Sequence, residues 1–362
     1  MPRLDSRGVR APEELWHVDG AGQGTPAVDA HAAYFLSRTN DVVAIDRPTG
    51  AVLWRSRISS DRALAAGSRV TAAGAVVIAG GDALVAFERR SGRTRWRFDP
   101  DDSYGFGFYL GEVSTSVVFA GSATGDLWAL RVATGTPVWR TRIGRLSTTV
   151  HRPVVSGNDL AVAFKDFEGT GLHGVALLDR ATGATRWRTS VPHQGGVSAS
   201  SALAGGPVLT EALVIVSTHD GRVVALRRTD GGVAWTWRDQ QGGAPAYDFR
   251  SLARAGPVLV AGSLTGQVVA LEVATGLERW RTNPLDASVG FALTATDRSV
   301  FVPYVSGTLV CVAAETGGER WRMGRSAEGF RWAPAVAGDD VYVAGAGAGF
   351  VARRTGPGPE GG

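Results

Sequence analysis

Lysine is almost missing from this chain: Lys165 is the one lysine among 38 basic residues, and all the others are arginine. Cysteine is nearly missing too. Cys311 is the only one, so no intramolecular disulfide can form. No stretch approaches about eighteen apolar residues without a charge or a glycine, which excludes a transmembrane helix and argues against membrane insertion. The arginines are scattered rather than gathered into a tail or stripe, so no nucleic-acid footprint is visible despite a net charge of +4. The first residues, Met1 to Arg10, are polar and lack the apolar segment of a signal peptide. The expected location is therefore cytoplasmic, or extracytoplasmic if a leader has been removed.

What is present supports a folded chain. Hydrophobic residues make up 44% and charged residues 20%, enough to build a core and to set disorder aside. The 49 glycines are spread along the chain, as many short strands joined by tight turns require.

An eleven-residue phrase recurs seven times, with a tryptophan four residues after a glycine. It reads AIDRPTGAVLW (Ala44 to Trp54), AFERRSGRTRW (Ala86 to Trp96), ALRVATGTPVW (Ala129 to Trp139) and LLDRATGATRW (Leu177 to Trp187). It returns as ALRRTDGGVAW (Ala225 to Trp235), ALEVATGLERW (Ala270 to Trp280) and CVAAETGGERW (Cys311 to Trp321). The turn glycines Gly50, Gly92, Gly135, Gly183, Gly231, Gly276 and Gly317 are spaced 42, 43, 48, 48, 45 and 41 residues apart. Each phrase follows two apolar runs of strand length, and helical periodicity is absent. Four short strands in a period of about 44 residues make a propeller blade.

An eighth copy is split. Phe350 to Gly356 (FVARRTG) supplies the first seven positions, and Glu360 stands where tryptophan should follow. The missing piece lies at the other end of the chain, in Glu13, Glu14, Leu15 and Trp16. The expectation is an all-β, eight-bladed β-propeller of four-stranded antiparallel blades, its last blade closed by the N-terminal strand. It occupies residues 1–362 as one domain, with flexible ends at about 1–12 and 357–362. Closure of this kind leaves no open edge between the first and last blades.

Eight tryptophans hold equivalent places around such a ring: Trp16, Trp54, Trp96, Trp139, Trp187, Trp235, Trp280 and Trp321. No single ligand could use all of them. Packing between adjacent blades explains them, each burying roughly 200 Å². The Thr-Gly pairs read as turn chemistry, because no copy lies between a strand and a helix N-terminus as a phosphate loop would.

The phrase Ala-x-Asp-x-x-Thr-Gly-x-x-x-Trp, intact at Ala44 to Trp54, resembles the tryptophan-docking motif of quinoprotein alcohol dehydrogenase propellers and their non-catalytic relatives. The resemblance runs from Trp16 to Gly356. It implies the eight-bladed fold and leaves two functional classes open. One class comprises periplasmic dehydrogenases that hold pyrroloquinoline quinone and calcium over the axial funnel. The other comprises cofactor-free binding proteins, including the lipoprotein subunit of the outer-membrane barrel-assembly machinery.

The residues favour the second class. The resemblance implies, for many of the dehydrogenases, a disulfide between adjacent cysteines over the quinone, which a chain with Cys311 alone cannot make. Calcium needs several converging oxygen ligands, and no suitable Asp/Glu cluster stands in the loops. No cofactor and no metal site are therefore expected, with quinone and calcium both disfavoured. The preferred reading is a non-catalytic scaffold for a protein partner. The alternative is an enzyme using the axial funnel, either a quinone-dependent oxidoreductase or a cofactor-free lyase or cyclase acting on a small molecule. No Gly-x-Ser-x-Gly elbow or protein-kinase signature is present.

Any site should lie on the face opposite the Thr-Gly turns, where the repeat is least regular. Irregular segments of blades four to six carry His151, Arg152, Lys165, Asp166, His173, His193, His219, Asp248 and Arg250. Their histidine spacing matches no zinc signature, and His219-Asp220-Gly221 also reads as an ordinary turn. Across the ring stand Tyr104, Phe106, Phe108 and Tyr109, readable as a hydrophobic plug or as a stacking platform. Phe330, Arg331 and Trp332 precede the last blade, and Arg331 and Trp332 fall outside the tryptophan register. Arg331 and Trp332, with Arg152 and Arg250, are candidate contacts for an anionic or aromatic ligand near the axis.

Overall fold

The computed structural model of the chain describes residues 12–58, 69–100, 107–114, 116–166, 173–191, 206–218, 220–239, 249–282, 288–290, 292–323, 332–345 and 349–355. Among them every regular element is a β-strand, and the strands form eight antiparallel sheets. Blade one contains β2 (Gly22–Val28), β3 (Ala32–Ser37), β4 (Asp41–Asp46) and β5 (Val52–Arg57). Blade two contains β6 (Val70–Ala73), β7 (Val76–Gly80), β8 (Leu84–Glu88) and β9 (Thr94–Phe98). Blade three is β10 (Phe108–Val113), β11 (Val117–Ser122), β12 (Asp126–Arg131) and β13 (Pro137–Arg142). In blade four the innermost strand is broken into β14 (Thr148–Val150) and β15 (Val154–Ser156). Both pair with β16 (Asp159–Asp166), followed by β17 (Gly174–Asp179) and β18 (Thr185–Ser190).

Blade five is β19 (Val208–Leu209), β20 (Leu213–Ser217), β21 (Arg222–Arg227) and β22 (Val233–Arg238). Blade six is β23 (Phe249–Ala255), β24 (Val258–Ser263), β25 (Val268–Glu272) and β26 (Glu278–Arg281). Blade seven is β27 (Thr294–Ala295), β28 (Ser299–Pro303), β29 (Leu309–Ala313) and β30 (Glu319–Met323). Blade eight joins β31 (Ala335–Ala337), β32 (Asp340–Gly345) and β33 (Gly349–Arg354) to β1 (Glu13–Val18) from the other end of the chain.

Burial explains the residue choice along each blade. The second strands, such as β3, β7, β20 and β24, are buried at every position, so they read as unbroken apolar runs. A strand covered on both faces by neighbouring blades has no reason to alternate. The fourth strands, such as β5 and β13, are mostly exposed and carry arginine around their tryptophan.

Among the described residues no single central core is present. The buried side chains fall into eight clusters, each shared by two consecutive blades. One of them joins Trp16, Tyr342, Ala344, Phe350 and Ala352 of blade eight to Ala33, Phe35, Val43 and Ile45 of blade one, closing the ring.

The split repeat is visible in the register, two residues later than expected: Ala352, not Phe350, holds the first position of the phrase, because it is the residue that pairs with the tryptophan. In blade one Trp54 pairs with Ala44 and Val52 with Ile45, with a bulge at Leu53. In blade eight Trp16 pairs with Ala352 and Glu14 with Arg353, so Leu15 is bulged in the same way. Trp16 therefore occupies the place that tryptophan holds in the seven unbroken blades. The expected flexible ends, apart from Pro12, lie outside the described residues.

The repeat motif proves to be an inter-blade device. Seven of the eight indole N–H groups donate to a main-chain carbonyl of the next blade: Trp16 to Arg47 at 2.7 Å, Trp54 to Arg89 at 2.9 Å, Trp187 to Arg228 at 2.8 Å. The same bond links Trp96 to Val132, Trp139 to Arg180, Trp235 to Val273 and Trp280 to Ala314. The ring of each of these seven tryptophans lies on the turn glycine of that next blade. A Cβ on Gly50 would stand 2.6 Å from Trp16, and one on Gly317 would stand 2.5 Å from Trp280. These glycines have φ between 70° and 74°, the left-handed region that glycine enters without steric cost. Glycine is thus required twice at one position, by the turn and by the indole above it.

Candidate functional site

In every complete blade the second strand runs toward the face opposite the Thr-Gly turns, and the first strand starts there. The innermost strands face the axial channel of the propeller. At that end of blade four the chain departs most from the repeat, because Pro153 interrupts the innermost strand. Proline lacks an N–H and holds the residue before it extended, so His151–Pro153 separate β14 from β15 on their shared partner β16. Blade three accommodates the break with glycine. A Cβ on Gly111 would lie 2.4 Å from the Pro153 ring, and one on Gly121 would lie 2.2 Å from the Val150 carbonyl.

Glu112 of β10 ties the two blades together there. Its N–H donates to the Pro153 carbonyl at 3.3 Å, and its carboxylate accepts the Val155 N–H at 3.1 Å. Arg152 projects from the break and packs beside Gly206, just ahead of β19, where a Cβ would stand 3.3 Å from the arginine Nε. Arg152 is exposed to solvent, while the protein packed around it lowers its pKa and the Glu112 charge pulls it back up.

Arg69 completes this group from blade two. It immediately precedes β6, forms a parallel bridge with Thr25 of β2, and accepts the Gly80 N–H at its carbonyl. Burial pushes its pKa down to about 9, with the Arg152 charge pushing the same way and Glu112 opposing. Its Nε is buried and has no hydrogen-bond partner among the described residues. Beside the group, the Tyr109 and His151 rings meet with centroids 5.6 Å apart, and burial raises the Tyr109 pKa.

The structure does not bring the expected site residues together in one place. His151 and Arg152 come together in the break of blade four. Lys165 and Asp166 are buried at the end of β16, paired with Thr149 and Thr148 of β14, and Ser147 donates to Asp166 at 2.9 Å. His173 is buried at the start of the next strand. Arg250 lies on β23, with its side chain outside the described residues. Trp332 is half-buried. Arg331, Phe330, His193, His219, Asp248, Tyr104 and Phe106 all lie outside the described residues.

Phe108 is fully buried and packs on Phe98. Asp220 is buried in a 2.8 Å ion pair with Arg222. Among the described residues no group of three or more His, Cys, Asp and Glu side chains is placed to hold a metal ion. No helix among them is long and apolar enough to cross a membrane.

Sequence reasoning missed Arg69 and Glu112. A signal existed: Arg69, Glu112 and Arg152 are 43 and 40 residues apart, close to one blade period. Charge recurring at that interval on innermost strands marks adjacent blades facing one channel.

Comparison with known proteins agrees with the propeller fold. The family model described as outer membrane protein assembly factor BamB matches residues 9–170, 123–288 and 264–356. The BamB assembly factor of Burkholderia pseudomallei is 25% identical, covering 94% of this chain and 88% of the relative. That of Shewanella oneidensis is also 25% identical, over 92% of this chain and 87% of its own. The crystal structure of BamB from Moraxella catarrhalis superposes with a TM-score of 0.73 at 15% identity, covering 95% of this chain and 100% of that one. The quinohemoprotein alcohol dehydrogenase ADHIIG of Pseudomonas putida HK5 superposes at 0.72 with 14% identity, over 98% and 78% of the two chains. At that identity the likeness is one of fold.

The cytoplasmic expectation is corrected by these relatives, which are outer membrane protein assembly factors. It rested on the polar first residues, Met1 to Arg10, which lack the apolar segment of a signal peptide. From its repeat, its closure and a match running from residue 9 to residue 356, the chain belongs to the outer membrane protein assembly factor BamB family.

Proposed function

We propose that this propeller is a non-catalytic assembly scaffold that presents the face opposite its Thr-Gly turns to a protein partner. The observation that carries this is the family match along nearly the whole chain to outer membrane protein assembly factors. The geometry fits that role. The repeat tryptophans are engaged between blades, so the regular part of the molecule is committed to rigidity. Departures from the repeat gather on one face, where a rigid ring holds irregular loops in fixed positions. In this reading the protein works without quinone or calcium, and its compartment is that of the outer-membrane assembly factors it resembles.

Site-specific photo-crosslinking in the native host tests the proposal. A crosslinker replacing Tyr109, at the start of β10, is compared with one replacing Thr182 in a Thr-Gly turn. A defined protein adduct from Tyr109, absent from Thr182, is expected. Equal adducts from both faces, or alcohol oxidation by the purified chain after addition of pyrroloquinoline quinone and calcium, would overturn the scaffold reading.

A further inference from the structure

The geometry points to a carboxylate-binding site in the axial channel between blades two, three and four, in which the guanidiniums of Arg69 and Arg152 receive the carboxylate and Glu112 holds the group in place. Three observations converge on it. First, the Arg69 Nε is buried and lacks a hydrogen-bond partner among the described residues. A buried donor on a charged group is among the least tolerated features of a folded protein, and native structures satisfy nearly all of them. Second, the Arg152 charge acts unfavourably on Arg69, and Glu112 is the carboxylate that opposes burial at both arginines. Near neutral pH a guanidinium keeps its proton, so an incoming anion relieves the repulsion where discharge would not.

Third, the backbone is built to keep the three groups together. The break at Pro153 brings Arg152 out of the strand, Gly111 and Gly121 allow the close approach, and Glu112 is fixed by the Val155 N–H. Glu112 therefore cannot follow either arginine away from the axis without giving up that bond.

The charge balance selects the ligand. Two guanidiniums and one carboxylate leave a single positive charge, which one carboxylate neutralises and a phosphate dianion would exceed. The planar fork of arginine also matches a carboxylate in two-point contact. The Tyr109 and His151 rings form an aromatic wall beside it, suited to the carbon skeleton that carries the acid. The ligand is either a free small carboxylate or an acidic side chain entering the channel, and the chemistry of recognition is the same. This site goes beyond the scaffold reading and stands or falls separately from it.

The experiment uses the full chain labelled with ¹⁵N-arginine, observing the arginine Nε–Hε resonances. Sodium acetate is titrated against sodium chloride at matched ionic strength, with two further arms: a blocked Gly-Glu-Gly peptide and sodium phosphate. A saturable shift of the Arg69 resonance with acetate, and none with chloride, is expected; Arg69→Gln identifies the resonance by its disappearance. Arg152→Gln should weaken acetate binding about tenfold or more, as loss of a charge-assisted hydrogen bond does. A peptide binding more tightly than acetate identifies an entering side chain as the source. Acetate binding with the peptide excluded identifies a free carboxylate. No saturable shift with either, an unchanged acetate affinity in Arg152→Gln, or tighter binding of phosphate would overturn the assignment. Folding of each variant is checked by its melting temperature, and Glu112→Gln, which leaves both arginines in place, should raise acetate affinity.

Discussion

Replacing Gly231 with alanine should destabilise the ring by about 2–5 kcal/mol, a large effect for a single methyl group on an exposed hairpin. Two contributions add. Gly231 has φ 72°, and an L-residue in the left-handed region costs about 1–2 kcal/mol. The new Cβ would also stand 2.5 Å from the Thr189 hydroxyl oxygen and 2.6 Å from Cε3 of Trp187. Neither neighbour can retreat freely. The Thr189 hydroxyl donates to the Gly231 carbonyl at 2.8 Å, and the Trp187 indole donates to the Arg228 carbonyl at 2.8 Å. Forcing such packing apart costs about 1–3 kcal/mol.

Gly256→Ala separates the two contributions, since Gly256 has φ 56° and open space where its Cβ would go. That variant should lose only the backbone share, about 1–2 kcal/mol. In a Trp187→Ala background, itself down by about 3 kcal/mol because the ring is only half-buried, Gly231→Ala should cost less than in the parent chain, keeping the backbone share of about 1–2 kcal/mol and the Thr189 contact but losing the indole clash. Urea denaturation followed by far-UV circular dichroism reads all four proteins, and a double-mutant cycle extracts the coupling. Equal losses for Gly231→Ala and Gly256→Ala, or strict additivity with Trp187→Ala, would refute the inter-blade role of the turn glycine.

Removing residues 1–18 deletes β1, leaves β33 without its outer partner and takes Trp16 off Gly50. The melting temperature should fall by many degrees, and an unchanged value would refute closure through the N-terminal strand. Cys311 is buried and burial pushes its thiol up to about 11. It should resist iodoacetamide near neutral pH in the folded ring and react readily in urea; rapid labelling of the native protein would contradict the packing between blades seven and eight.

Acid should weaken the turns. Asp179 is held below its ordinary value by hydrogen bonds from the Thr182 main chain and hydroxyl, Asp230 by the Gly232 N–H, and Glu272 by Arg279 and Thr275. A depressed carboxylate stabilises the fold above its unfolded pKa, and that stabilisation is lost as pH falls through the folded value. Melting temperature should therefore drop below about pH 4, less steeply in Asp179→Asn, and parallel curves for the two proteins would exclude this turn.

The blades were legible in the sequence because their determinants are local and repeated. A phrase such as LLDRATGATRW contains the third strand, its turn and the tryptophan of the fourth, and seven copies expose what one would hide. The role of the phrase was only half legible. Tryptophan could be assigned to blade packing from its position alone, but the glycine reads as a turn residue until Gly231 is seen beneath the indole of Trp187, 44 residues earlier in the chain. The contact spans two copies of the repeat, and a period cannot say which copy touches which.

The axial site was less legible still, for a related reason. Arg152 drew notice because it sits in an irregular segment, whereas Arg69 and Glu112 sit where the repeat looks ordinary. Lys165 and Asp166 share the irregular segment with Arg152, yet β16 carries them into the sheet, buried opposite Thr149 and Thr148. Irregularity along the chain therefore locates the face that matters without selecting its side chains. The ring makes that selection, because only residues at matching heights on neighbouring innermost strands converge on the axis. Arg69, Glu112 and Arg152 come from three successive blades, Arg69 just ahead of β6, Glu112 on β10 and Arg152 between β14 and β15. Charges one blade period apart are consequently a sharper guide to a propeller's channel than any irregular loop taken by itself.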